Sequence, residues 1–103
     1  MRTLLLVVLL VVAGCGQTQV PGPSLIAFHA TWCQSCQRDK PLLAEVAREF
    51  PVTEIDFEIQ RFVSTRYHVS VLPTYIVFLG EREVMRTMNL SMAFQTLRYL
   101  NQL

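Results

Sequence analysis

The chain has 103 residues, the length of a single domain, so one hydrophobic core and one main activity are expected. Nine basic residues stand against eight acidic ones, and the formal net charge is +1 at pH 7 with histidine neutral. The basic residues form no stripe along the sequence, which argues against a protein that binds nucleic acid.

The first residues have the pattern of a secretory signal. Met1 and Arg2 precede an uncharged apolar run, Leu4 to Ala13, that ends in small residues before Cys15. A helix crossing the hydrocarbon needs about 20 residues, so a permanent transmembrane span is the weaker interpretation and a buried core helix the other alternative. The segment Val12-Ala13-Gly14-Cys15 resembles the bacterial lipobox, and this resemblance implies that Cys15 is lipidated and becomes the new N-terminus.

This pattern divides the chain into three parts. We expect residues 1–14 to be the removed signal peptide, residues 15–23 to be the lipidated cysteine and a flexible Gly- and Pro-containing tether, and residues 24–103 to be the folded domain. Lipidation of Cys15 resolves an odd count of three cysteines in an exported protein. The protein is then expected outside the cytoplasm, anchored to a bacterial membrane on its periplasmic or outer surface, where disulfides persist.

The first half of the domain alternates strands and helices. Ser24 to Ala30 is a short apolar run typical of a buried strand, and Cys33 to Phe50 has the amphipathic period of a helix. Ile55, Phe57 and Ile59 alternate with acidic residues, which predicts a second strand. A short helix is predicted over Arg61 to Tyr67.

The second half reads as a hairpin followed by a helix. Thr74 to Leu79 and Glu83 to Met88 are predicted strands joined by a turn, and Ser91 is the predicted cap of a last helix that ends near Asn101. The order is β, α, β, short α, β, β, α. This α/β pattern predicts a mixed sheet of about four strands flanked by helices.

The chemistry-bearing motif is Trp32-Cys33-Gln34-Ser35-Cys36, between the first strand and the first helix. Unpaired N–H groups and the positive end of the macrodipole at a helix start favour an anion, so the pKa of Cys33 should fall and its thiolate should attack disulfides. One turn later Cys36 returns beside Cys33, where it can resolve a mixed disulfide. Two cysteines with this spacing are also half of a zinc site, but the second pair of ligands is missing, so no metal is expected.

The motif and its surroundings resemble the thioredoxin family, in order and approximate spacing, over about Ser24 to Leu103. The matching residues are Phe28, Ala30, Trp32, Cys33, Cys36, Pro41, Leu72, Pro73 and Thr74. The resemblance implies a minimal thioredoxin fold, a cis peptide bond at Pro73 facing the cysteines, and a main chain at Leu72 that pairs with an extended substrate segment. It implies no cofactor beyond the redox-active pair itself.

Several positions depart from the family pattern. Ala27 stands where most thioredoxins have a buried Asp that moves protons to and from the resolving cysteine, and Asn89 stands near a usual glycine of the substrate groove. The leading strand and helix of the family are also expected to be absent. Gln34 and Ser35, which tune the potential, match neither the Gly-Pro pair of reducing thioredoxins nor the Pro-His pair of oxidising relatives.

The expected function is a membrane-anchored, extracytoplasmic, monomeric oxidoreductase that reduces disulfides in proteins and receives electrons from a membrane donor. A disulfide oxidase or isomerase is the alternative direction. Two other classes stay open: a lipoprotein that binds copper or zinc through the same thiolates, and a non-catalytic adaptor. His29 could tune Cys33 or fill space, and His68 is expected to serve in a turn.

Overall fold

The computed structural model describes residues 22–103. The predicted signal peptide, the lipidation site Cys15 and all of the predicted tether before Gly22 lie outside the described residues. Within residues 22–103 the elements follow the predicted order. They are β1 (Pro23–His29), α1 (Gln34–Glu49), β2 (Val52–Asp56), α2 (Arg61–Arg66), β3 (Thr74–Leu79), β4 (Arg82–Thr87) and α3 (Leu90–Asn101).

The strands form one mixed sheet in the order β2-β1-β3-β4. β1 runs parallel to β2, in the register Phe28 to Ile55, and antiparallel to β3. β3 and β4 form the predicted hairpin, with an irregularity between Val77 and Phe78. Helices cover both faces of the sheet at β1, which explains why its sequence is largely apolar.

The two faces of the sheet carry separate hydrophobic clusters. Leu43 and Val46 of α1 pack with Leu97 of α3 over one face. Phe28 and Ile76 point to the opposite face, which α2 covers. The first helix thus lies across β1 with its first turn above the carboxyl end of that strand, and this placement positions the cysteines.

The second strand is shorter than predicted. It ends at Asp56, because the Asp56 carboxylate oxygen Oδ1 accepts hydrogen bonds from the main-chain N–H groups of Glu58 and Ile59, each at 3.0 Å. This side-chain bond turns the chain out of the sheet and leaves Ile59 84% exposed. The prediction that the strand continues through Phe57 and Ile59 was therefore wrong.

The cap of the last helix also differs from the prediction. Asn89, and not Ser91, is the N-cap of α3, and its Oδ1 accepts from the N–H of Met92 at 3.2 Å. The φ of Asn89 is −102°, so this residue is extended and does not use a left-handed conformation. His68 does lie in the left-handed region, at φ 56°, in the turn that follows α2, as predicted.

The first strand includes the last residue of the predicted tether. Pro23, assigned above to the tether, is buried and is the first residue of β1. Gly22 next to it accepts a hydrogen bond through its carbonyl from the N–H of Gly80, at 3.4 Å. Over residues 22–103, each helix is too short or too polar to cross a membrane.

Candidate active site

The two cysteines of the motif meet at the start of α1. Cys33 is the N-cap residue and Cys36 lies in the first turn, and the two form a disulfide with a Cα–Cα distance of 5.3 Å. The N–H of Cys36 donates to Sγ of Cys33 at 3.2 Å. Both residues are buried, Cys36 more so at 4% exposure. The pair is thus a disulfide that one helical turn closes without backbone rearrangement.

The electrostatic setting of Cys33 favours an anion. No acidic residue occupies the first turn of α1, so nothing there offsets the positive end of the helix dipole. Gln34 and Ser35 occupy the two positions between the cysteines, with both side chains exposed. The side chain of Gln37 donates weakly to the carbonyls of Ala30 and Thr31, each at 3.4 Å, which ties the loop before the motif to the helix.

Trp32 directly precedes the first cysteine of the disulfide. Its indole is 60% exposed, and its Nε1 donates to the Glu58 carboxylate at 3.0 Å. The bond joins the motif to the turn that follows β2. Glu58 lies in this turn because the strand ends at Asp56. The bond thus fixes a large, exposed aromatic side chain that directly precedes Cys33 in the chain.

The loop before β3 packs against the cysteines. The Leu72–Pro73 peptide bond is cis, and Leu72 packs against the cluster that contains Ala30 and both cysteines. Thr74 holds the loop through a bond from its hydroxyl to the carbonyl of Val71, at 2.6 Å. The structure thus brings together Trp32, the CxxC pair and Leu72-Pro73-Thr74, the residues singled out from the sequence.

A groove of about 510 Å³ opens at the CxxC motif, whose Ser35 is one of the lining residues. Its walls come from the first turns of α1, from the proline loop and from the segment between β4 and α3. The lining residues are Ser35, Arg38, Asp39, Leu42, Pro73, Thr87, Met88, Asn89, Leu90 and Ser91. Asn89, discussed above for its departure from the family glycine, thus lines the groove and caps a helix at once.

A second polar pair, which sequence reasoning missed, lies under this groove. The phenol of Tyr75 donates to Oδ2 of Asp39 at 2.6 Å, and Tyr75 is 2% exposed. Burial, strengthened by the hydrogen bond and charge of Asp39, raises the pKa of the Tyr75 phenol far above its ordinary value. The only signal in the sequence is that Asp39 follows Cys36 by three residues on a helix, since the β3 register that supplies Tyr75 is not local.

Strand β1 lacks the buried acidic residue of the family pattern, because Ala27 stands at that position. Ala27 is buried in the core between β1 and α1. His29, two residues along, has its Nε2 3.7 Å from Oε1 of Glu54 on β2. Within residues 22–103 no group of three or more His, Cys, Asp or Glu side chains could hold a metal ion.

Comparison with known proteins agrees with this geometry. The Thioredoxin family model matches residues 17–98. The chain belongs to the thioredoxin family. Together with the Cys33–Cys36 pair, this membership makes it a thiol-disulfide oxidoreductase, of a family that acts on disulfides in proteins.

Several thioredoxins are similar in sequence. A thioredoxin-like protein of Synechocystis sp. is 32% identical over 84 residues, which cover 78% of this chain and 80% of that protein. A thioredoxin of Chlamydia trachomatis is 35% identical over 72 residues, 67% of this chain and 71% of the relative. Chloroplastic thioredoxin Y of Oryza sativa is 40% identical over 60 residues, 54% of this chain but only 36% of that longer protein.

Solved structures with a similar fold are also thioredoxins. A mutant thioredoxin from Halobacterium salinarum superposes with a TM-score of 0.73 at 23% identity, covering 81% of this chain and 78% of the other. The thioredoxin from Nicotiana alata gives a TM-score of 0.73 at 22% identity, with 81% and 76% coverage. At these identities the likeness establishes the fold, which is the predicted thioredoxin fold.

Proposed function

We propose that this thioredoxin reduces disulfides in extracytoplasmic proteins while anchored to a bacterial membrane through a lipid on Cys15. The observation that carries the redox part is the N–H of Cys36 directed at Sγ of Cys33, at the start of a helix whose first turn has no acidic residue. That arrangement stabilises a thiolate at Cys33. Cys33 is therefore the attacking sulfur, and the more deeply buried Cys36 is the resolving one.

The exchange transfers two electrons to the substrate. The Cys33 thiolate attacks one sulfur of a substrate disulfide, so a Cys33–substrate mixed disulfide forms and the other substrate sulfur leaves as a thiolate. Cys36, as a thiolate, then attacks Sγ of Cys33. The Cys33–Cys36 disulfide forms, the second substrate sulfur leaves, and the substrate is reduced as the enzyme is oxidised.

Substrate recognition is proposed to use the main chain of Leu72. Among residues 22–103, no group donates to or accepts from the Leu72 main chain, although Leu72 packs beside the cysteines. An extended substrate segment that passes the disulfide could pair with it, as in strand addition, with little dependence on side-chain sequence. Exposed Trp32 and Met88 offer apolar surface on the two sides of such a segment.

The proposed location rests on the N-terminal sequence. The lipobox-like Val12 to Cys15 follows a short apolar run, and Cys15 is the cysteine that has no part in the disulfide. Two or more acyl chains on Cys15 would hold the protein stably at a membrane. Replacing Cys15 by Ser should move the protein from the membrane fraction to the soluble fraction and abolish incorporation of a labelled fatty acid. A variant that stays with the membrane would contradict the anchor.

The direction of the reaction follows from the proposed anchor. A membrane-tethered thioredoxin is well placed to receive electrons from a membrane reductant, which would restore the Cys33–Cys36 dithiol after each turnover. The test is the reduction potential of the pair against glutathione, since about 30 mV changes the equilibrium tenfold. A potential of about −270 mV supports a reductase, whereas one of about −120 mV would make the protein an oxidase.

A further inference from the structure

The pair formed by Tyr75 and Asp39 joins the core to the redox site. Tyr75 lies on β3 directly opposite Ala27 of β1, and both belong to the cluster beneath α1. From there the phenol reaches the carboxylate of Asp39 at 2.6 Å. A buried phenol that stays protonated at physiological pH donates a permanent hydrogen bond, so one carboxylate oxygen of Asp39 is held in place.

Asp39 shares a helix face with the resolving cysteine. Cys36 and Asp39 are three residues apart in α1, a spacing that puts their Cβ atoms about 5 to 6 Å from each other. Asp39 is half-buried and lines the groove together with Pro73 and with Ser35, which stands between the two cysteines in the chain. Asp39 is the acidic residue nearest to Cys36 in sequence. Its carboxylate lines the groove, and Tyr75 holds one of its oxygens.

The other charged or titratable side chains near the motif are exposed or directed to other partners. Arg38 and Lys40 on α1 are exposed, and the groove wall from Thr87 to Ser91 carries no charge. Glu58, across the motif, is bonded to the indole of Trp32. His29 is directed toward Glu54 at the β2 side of the sheet, whereas Tyr75 comes from the β3 side.

Resolution of the mixed disulfide needs a base, because Cys36 is almost fully buried and burial favours its neutral thiol. We propose that Asp39 is the general base that takes the proton of Cys36, and that Tyr75 is the positioning residue that holds it. The Cys36 sulfur, once deprotonated, forms the bond to Sγ of Cys33 and expels the substrate thiolate. Asp39 then returns the proton to that thiolate, directly or through water in the groove, so that protons and electrons balance.

This inference goes beyond the proposed function, since it concerns a step that is common to reduction and oxidation and is independent of the anchor. The experiment follows one turnover of the reduced protein with a disulfide-bonded peptide, quenched in acid, so that formation and decay of the mixed disulfide are measured separately. At pH 7, D39N should slow the decay at least about tenfold, because a general base typically contributes about 10² or more. D39E should restore most of the rate, and Y75F should cause a smaller loss.

The pH profile separates a base from a structural residue. With D39N only solvent removes the proton, so the decay rate should rise about tenfold per pH unit between about pH 6 and pH 9, more steeply than in the unsubstituted protein. E45Q removes an exposed carboxylate from the outer side of the same helix and is the matched control, with an unchanged rate and profile. In a C36S background, D39N should slow the first attack by Cys33 far less than it slows the decay.

Three results would overturn the proposal: an unchanged decay rate and profile in a folded D39N protein, an equal slowing of the first attack in the C36S background, or transfer of the whole effect to His29→Gln. Circular dichroism and thermal unfolding establish that each variant is folded. Should D39N fail to fold, Y75F retains the Asp39 carboxylate but removes the hydrogen bond that orients it, and a slower decay with an unchanged first attack then tests the same step. A failure here leaves the reduction potential and the membrane association of the protein as they are, so it is distinguishable from a failure of the proposed function.

Discussion

The main-chain N–H of Cys36 donates a hydrogen bond to Sγ of Cys33 at 3.2 Å. The same bond closes the N-terminus of α1, because Cys33 is the N-cap residue and Cys36 is the third residue of the helix. A sulfur that caps a helix accepts better as a thiolate than as a thiol. The hydrogen bond that caps the helix therefore also stabilises the Cys33 thiolate.

The first prediction concerns the acidity of that sulfur. The pKa of Cys33 in the reduced protein should lie below the value of about 8.5 of a free cysteine, because the helix start favours the charged form. A pH titration of the thiolate ultraviolet absorbance in the C36S variant measures it, with C33S as the matched control. A Cys33 no more acidic than free cysteine would contradict the assignment of the attacking sulfur.

The second prediction separates the roles of the two cysteines. C33S should abolish reduction of protein disulfides, whereas C36S should still attack and then accumulate a mixed disulfide that cannot resolve. Mass spectrometry of the acid-quenched reaction detects the adduct and its mass. An adduct on Cys36 in C33S would reverse the two roles. Full biological function with C33S would instead support an adaptor that uses only the fold.

The redox site could be predicted from sequence because its signals are local. Trp32, Cys33 and Cys36 lie within five consecutive residues, and the strand before and the helix after them are each apparent from hydrophobic period. The role of Pro73 was predicted only from the resemblance to the family. In the structure its neighbour Leu72 packs against the cluster that contains both cysteines, and the Leu72–Pro73 bond is cis.

Two kinds of feature could not be predicted from local sequence patterns. One depends on side chains that bond to main-chain groups and end a regular element, and the other depends on the pairing of strands that are distant in sequence. Ile55 to Ile59 alternates like a strand, but the Asp56 side chain satisfies two main-chain N–H groups and ends it. The pair of Tyr75 and Asp39 depends on the register of β3 against β1, which local patterns do not contain. Ser91 and Asn89 are both good caps, and their two-residue separation falls within the uncertainty of a helix boundary.

The third prediction tests the corrected cap of α3. N89A should destabilise the folded protein by about 1 kcal/mol, because the N–H of Met92 loses its acceptor. S91A should change stability by less than about 0.5 kcal/mol, since Ser91 is exposed and lies within the helix. Urea unfolding of the oxidised proteins measures both. A larger loss for S91A than for N89A would restore the cap predicted from the sequence.

The fourth prediction concerns stability at alkaline pH. The pKa of Tyr75 is raised in the folded protein, chiefly by burial and further by Asp39, so the unfolded chain loses this proton first as the pH rises. The stabilisation is fully present below the unfolded pKa of about 10 and falls above it, by up to about 1.4 kcal/mol per pH unit. The sign is therefore a loss of stability on going from neutral to strongly alkaline solution.

Y75F isolates this contribution, because its unfolded chain has no phenol to ionise at position 75. The difference in unfolding free energy between the unsubstituted protein and Y75F should be constant up to about pH 9 and should shrink above about pH 10. Y99F is the matched control, since it makes the same substitution at a tyrosine that is 64% exposed. A Tyr75 in contact with solvent would ionise equally in both states, and the Y75F difference would then stay flat across the whole range.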